Sequence, residues 1–158
     1  MKKYLIYGKG GHGKVVEDTI YQLDNDNSVE YLDDASNPYS ENYEKEAELI
    51  IGIGNNDVRK RIVGEVKHNF TTIIHPTAYV APSAEIGEGT VILANAVVQA
   101  DAKIGKHCII NANVTVDHDA IVENYVCTYP ASYVASFARV TEGQTLKPGQ
   151  VVWKSEVF

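Results

Sequence analysis

Cysteine, methionine and tryptophan are scarce: two, one and one in 158 residues. Two cysteines, Cys108 and Cys127, make no disulfide scaffold, and neither has a Cys or His partner at zinc-ligand spacing. His107 precedes Cys108, but neighbours in an extended chain point apart. No stretch approaches the roughly 18 uncharged apolar residues of a membrane span. The apolar run near the N-terminus is too short for a signal peptide. Positive charge is also short, with 14 Lys and Arg against 21 Asp and Glu and a net charge of −7. That makes double-stranded DNA or an anionic bilayer a poor partner for the surface as a whole. A single anionic small molecule is still allowed, because backbone N–H groups can bind it locally. What is present is a 44% apolar, 22% charged chain, enough for a packed core. The length suits one domain, or two small ones sharing a core. A soluble cytoplasmic protein is expected.

The first 75 residues alternate between strand and helix patterns. Lys3–Tyr7 is apolar and rich in β-formers, and it runs into Gly8-Lys-Gly-Gly-His-Gly13. Lys14–Leu23 then carries Val15, Val16, Ile20 and Leu23 at helical spacing. Ser28–Leu32 reads as a strand ending at Asp33 and Asp34, and the acidic stretch 35–46 as a loop. Glu48–Ile53 reads as a buried strand. Asn and Asp after Gly54 offer caps for a helix over Val58–Lys67. Phe70–Ile74 is expected to close the segment as a fourth strand. This alternation predicts a small parallel sheet with a nucleotide-type crevice at the strand C-termini.

From Val80 the period becomes six. Val80, Ile86, Ile92, Val98, Ile104, Ile110, Val116, Val122, Thr128, Val134, Val140, Leu146 and Val152 stand in one phase, and twelve of the thirteen are aliphatic. The residue two before each is usually small, as at Ala78, Ala84, Ala96, Ala102 and Ala120. Neither a helix nor a strand repeats every six residues, whereas a coil of three hexads per turn does. The span from Val80 to Val152 predicts four coils of 18 residues.

Gly8, Gly10, Gly11 and Gly13 lie between a strand and a helix, where the backbone can approach a ligand and the helix N-terminus offers free N–H groups. A tight turn without a ligand is the plain alternative. Asp33 and Asp34 end the next strand, where an acid can accept from a ribose or base. Gly52-Ile-Gly-Asn-Asn56 ends the third strand beside the same crevice. Within the hexads, Asp117-His-Asp119 puts His118 two residues past the inward Val116, with Ala100 and Ser136 stacked one coil either side. The flanking carboxylates favour one tautomer and raise the basicity of the ring; a surface histidine in a polar turn fits the spacing equally well. His107 and His118 fall on different faces of the coil, so no metal site is expected. His68 and His75 read as structural, and Arg59-Lys60-Arg61 as a solvated helix face with Arg59 starting the helix near the crevice. Tyr125, Tyr129, Tyr133 and Phe137 are candidates for uncharged surface buried between chains.

Ile6 to Gly13, Leu32 to Asp34, Ile53 to Lys60, His75-Pro76 and Asp117 to Asp119, in that order, resemble the bacterial sugar acetyltransferases of the sialic acid O-acetyltransferase type. Among these the chain is most similar to the N-acetyltransferases of UDP-linked 4-amino sugars in the bacillosamine pathway. The resemblance implies a Rossmann-like domain over 1–76 that binds the UDP-sugar and a left-handed β-helix over 77–158 that trimerises. It implies the cytoplasmic synthesis of cell-surface glycans, with acetyl-CoA bound between neighbouring β-helices. Gly10, Gly11 and His12 would contact the nucleotide sugar, in a rim that includes Gly8, Gly13 and Asn55. Asp33 and Asp34 would stand at the uridine end, with Gly54 beside it. His118 would be the general base, Asp119 the acid that strengthens it, and the N–H of Ser136 would face the thioester oxygen. Cys127 stands where the family commonly has a second histidine near acetyl-CoA, and Ser136 where it usually has glycine. The family continues for several more coils, so a shortened C-terminal β-helix is expected. The last hexads also lack glycine after the aliphatic residue, at Ala135, Thr141 and Lys147. A non-catalytic nucleotide-sugar-binding trimer, or a relative that has lost the acetyl-CoA site, is the alternative.

Overall fold

A computed structural model describes residues 1–43 and 45–154. Strand β1 (Lys3–Tyr7) is central in a parallel sheet of order β2-β1-β3, with β2 at Ser28–Leu32 and β3 at Glu48–Ile51. Helix α1 (Gly11–Leu23) and helix α2 (Asn56–Glu65) cover its two faces. The apolar residues explain the layers. Tyr4, Ile6 and Ile50 pack with Val16 and Ile20 of α1. Leu5, Leu49 and Ile51 face the other way and pack with Ile62. A strand buried on both sides needs such a continuous apolar run. Both helices begin two or three residues earlier than the sequence pattern suggests. Gly11 already lies in α1, and Asn55 caps α2 by accepting the Val58 N–H at 3.0 Å.

The expected fourth strand over Phe70–Ile74 does not form as one. Phe70 makes a single parallel bridge to Leu49, while Ile73–Ile74 pairs with Val91–Ile92 as the first rung of the coil. Ile74 in fact stands six before Val80, in phase with the repeat.

The rest is a left-handed parallel β-helix of two-residue rungs. Its first face carries the rungs at 73, 91, 109, 127 and 145. Its second carries those at 79, 97, 115, 133 and 151, and its third those at 85, 103, 121 and 139. Each rung points one side chain inward, aliphatic in every case but Thr128. Ile92, Val98, Ile110 and Val116 are fully buried, and each such side chain contributes about 2 kcal/mol. Ala96, Ala102, Cys108, Ala120 and Ala138 fill the tight corners beside them.

Every corner from Gly89 to Gly149 uses a residue of positive φ, three positions after the inward one. Asn95, Asp101, Asn113 and Asp119 tolerate this; Tyr125, Ala131 and Phe137 adopt it at a cost of about 1 kcal/mol each. This extends the reading of the last hexads. The third position after the inward residue is demanding too, and there Gly143 and Gly149 are in place, while directly after the inward residue Gly87 and Gly105 leave no room for a Cβ against the next coil.

The faces differ outside. The third carries Glu85, Lys103, Ile121 and Arg139, with Lys103 paired to Glu85 and Arg139 to Glu123. The second carries Tyr79, Val97, Thr115, Tyr133 and Val151, none charged. The first is covered in part by α1, through Ile73, Val91 and Leu93.

Candidate active site

The glycines of the turn divide into two kinds. A Cβ on Gly13 would lie 2.1 Å from the Gly8 carbonyl oxygen, and one on Gly52 would lie 2.7 Å from the Gly13 Cα. Gly8 has φ +104° and donates to the Leu32 carbonyl at 2.8 Å. These three let α1 sit against the strand ends. Gly10, Gly11 and Gly54 meet nothing within 4 Å and line open space. The N-cap Gly10 supplies no side-chain cap and the first turn holds no acid, so the positive end of α1 is unopposed.

That end of α1 faces the coil. Gly11, His12, Val15 and Gly54 form one wall of a cavity of about 230 Å³, and Leu93, Ile109, Asn111, Cys127 and Tyr129 of the first face form the other. A second cavity of about 510 Å³ shares Gly54 and Tyr129 and extends past Asp57 to Thr145. His12 Nε2 is buried with no partner among the described residues. Burial, then the charge of Arg59, pushes its imidazole down to about 4, so it is neutral. Cys127 is buried, which pushes its thiol up against a smaller opposing effect from Arg59. An unreactive thiol therefore faces the glycine turn.

Arg59 is not on a solvated face. It is 1% exposed and spends all its donor directions on neutral oxygens. Nε donates to the His107 carbonyl at 3.0 Å. Nη1 donates to Ile53 and Gly54 at 3.0 and 2.9 Å, and Nη2 to Asn56 Oδ1 and Tyr125 at 2.7 and 3.1 Å. It therefore fixes the Gly54 edge of the cleft to the coil. The helical spacing was a usable signal, since Arg59 stands three before Ile62 and seven before Val66. Tyr125 also departs from expectation. It stacks on His107 at 5.5 Å with Lys60 over its ring, under helix α2 rather than on an open face.

His118 occupies the corner between the second and third faces, between the rungs at 115 and 121. Its Nδ1 lies 2.8 Å from Asp119 Oδ2. Its backbone N–H donates to Asp117 Oδ1 at 2.7 Å, and Phe137 meets the ring edge-on at 5.4 Å. The Asp119 hydrogen bond, with lesser contributions from Asp117 and Asp101, raises the imidazole above its ordinary value. With Nδ1–H donated to Asp119, the Nε2 lone pair points away as a base. Stacking is as the repeat requires: Asp119 N–H donates to Ala100 at 3.1 Å, and Ser136 precedes Phe137 one coil above. The cleft on the first face and His118 at the opposite corner do not meet within one chain.

The PglD N-terminal domain family matches residues 3–66. The chain is 37% identical over 113 residues to UDP-N-acetylbacillosamine N-acetyltransferase of Bacillus subtilis (strain 168), covering 60% of this chain. It spans about half, 52%, of that relative's length. The acetyltransferase domain of PglB from Neisseria gonorrhoeae FA1090 superposes with a TM-score of 0.86 at 30% identity, covering 96% of this chain and 82% of that one. Perosamine N-acetyltransferase from Caulobacter crescentus, solved with CoA and GDP-perosamine, gives 0.78 at 27% identity, covering 98% and 89%. The chain belongs to the sugar acetyltransferase family.

The remaining residues carried over from this family fall in three places. Asn55 spends its side-chain oxygen on the α2 cap, leaving the amide N–H₂ toward the second cavity. Asp33 caps its own turn, accepting from the N–H groups of Ala35 and Ser36 at 3.1 Å each. Those bonds, with the Ser36 hydroxyl, hold its carboxyl low. Asp34 accepts from the Tyr7 hydroxyl and lies 3.7 Å from Arg61, in a separate cavity of about 370 Å³ with Tyr39. The ends of β1 and β3 thus share the cleft, as the sequence suggested, while Asp34 at the end of β2 lines a separate cavity. Among the described residues no group of three or more His, Cys, Asp or Glu could hold a metal, and no helix is long and apolar enough to cross a membrane.

Proposed function

We propose that the chain transfers the acetyl group of acetyl-CoA to the amine of a UDP-linked amino sugar, in the cytoplasm, for surface glycan synthesis. Residues 1–76 hold the nucleotide sugar and residues 77–158 supply the base. The observation that carries this is the His118–Asp119 hydrogen bond of 2.8 Å, which leaves Nε2 as the acceptor of a proton. The unopposed α1 N-terminus, beside open Gly10 and Gly11, suits a diphosphate. Neutral His12 can hydrogen-bond the sugar or phosphate without a charge of its own.

Acetyl-CoA supplies a thioester-activated acetyl group. The amine attacks as the neutral base. His118 removes its proton as the C–N bond forms, and Asp119 stabilises the imidazolium. The Ser136 N–H stabilises the developing oxyanion. The imidazolium then returns the proton to the departing thiolate. Because His118 and the cleft lie at opposite sides of one coil, the base of one chain serves the cleft of the next. Three chains joined through the uncharged second face accomplish this.

Calorimetry with UDP and GDP, and an assay of UDP-amino sugars with acetyl-CoA, test the reading. Binding of UDP over GDP with acetyl transfer is expected. Tight UDP-sugar binding without transfer would leave a binding protein instead.

A further inference from the structure

We propose that Tyr133 is a positioning residue for His118, acting by keeping Asp117 from competing with Asp119 for the imidazole; this rests on the reading of His118 as the base. Two carboxylates flank His118, and either could accept a ring N–H. Only one, Asp119, does so. Asp117 has both oxygens engaged elsewhere. Oδ1 accepts the His118 backbone N–H at 2.7 Å and Oδ2 accepts the Tyr133 hydroxyl at 2.7 Å.

The phenol comes from the next coil. Tyr133 pairs with Thr115 in the sheet of the second face, so its hydroxyl reaches the turn that starts at Asp117. Trp153 packs edge-on against the Tyr133 ring at 6.1 Å, which limits its swing. Phe137, also one coil on, limits rotation of the imidazole. The corner is thus held from above at two points. Without the hydroxyl, Asp117 Oδ2 is a free, charged acceptor beside the ring. The imidazole would then divide between two orientations, and Nε2 would face outward in only part of the population.

The test uses the full chain with Tyr133→Phe, Asp117→Ala and the double variant. ¹⁵N NMR of the His118 ring reads the tautomer, and steady-state kinetics read kcat and KM. Wild type should show one neutral tautomer, Nδ1–H. Tyr133→Phe should give a mixture, with kcat lower by about 3- to 10-fold, the worth of one orienting hydrogen bond, and KM unchanged. Asp117→Ala removes the competitor, so the double variant should return to a single tautomer. A purely structural role for Tyr133 predicts no such rescue. An unchanged tautomer in Tyr133→Phe, or a mixture persisting in the double variant, would overturn the proposal. The NMR result decides it even if wild type transfers no acetyl group, which would count only against the function proposed above.

Discussion

Arg59 Nε donates to the carbonyl oxygen of His107 across 3.0 Å, and the same guanidinium reaches Tyr125 one coil higher. The buried cation is neutralised by oriented carbonyl dipoles and not by a carboxylate. Replacing it leaves several buried oxygens without donors. Arg59→Lys, whose ammonium cannot span both coils, should lose about 3 kcal/mol or more in urea unfolding. A loss below about 1 kcal/mol would mean that water reaches these carbonyls.

Two glycines two residues apart should respond oppositely. Gly13→Ala puts a Cβ 2.1 Å from the Gly8 oxygen and should lower the melting temperature sharply. Gly11→Val projects into the open cleft and should fold normally while losing UDP-sugar affinity. Equal affinity for wild type and Gly11→Val in calorimetry would place the nucleotide elsewhere.

His118→Ala should lower turnover by roughly 10²–10⁴-fold, the worth of a positioned base. The base works unprotonated, so activity should fall as pH drops through a pKa above the ordinary 6.5 of histidine. Asp119→Asn removes the main cause of that rise. Its acid limb should therefore move to lower pH, with a smaller rate loss than His118→Ala. A pH–rate profile unmoved by Asp119→Asn would argue against the assignment.

Stability should also depend on pH through a different histidine. Burial pushes His107 down to about 4, against 6.5 when unfolded. The unfolded chain therefore binds the extra proton first. The contribution is complete above about pH 6.5 and lost as pH falls toward 4, about 3 kcal/mol in all. His12 is lowered in the same way, so the difference between wild type and His107→Asn in urea unfolding at pH 7 and pH 4.5 isolates it. His107→Asn, which tolerates the left-handed corner, should be less stable at pH 7 but show a shallower decline.

The hexad phase was readable because one inward aliphatic every six residues has no competing explanation. It even reached back to Ile74, which the β-propensity of Phe70–Ile74 concealed. The strand–helix alternation was readable for the same reason, as apolar periodicity reports burial directly. Arg59 and Tyr125 were misplaced because their burial comes from docking α2 on the coil, a contact between residues up to 66 apart. Charge and aromaticity at single positions carry no trace of that. The hydrogen bonds of Asp34 and the orphaned nitrogen of His12 were hidden likewise, since side-chain direction is not written in spacing.

The N-terminal unit touches one corner of three successive coils. Arg59 reaches His107 and Tyr125, and Asn56 reaches the Gly143 carbonyl at 2.8 Å, each 18 residues from the last. Changes in chain length are constrained accordingly. Adding six residues between 107 and 125 would turn every later rung by a third of a revolution and bring a different corner under α2. Adding 18 would present an equivalent corner again, but one storey removed from its original sequence. Insertions and deletions in this half of the protein should therefore come in whole coils, and those between residues 107 and 143 should be accompanied by changes in α2.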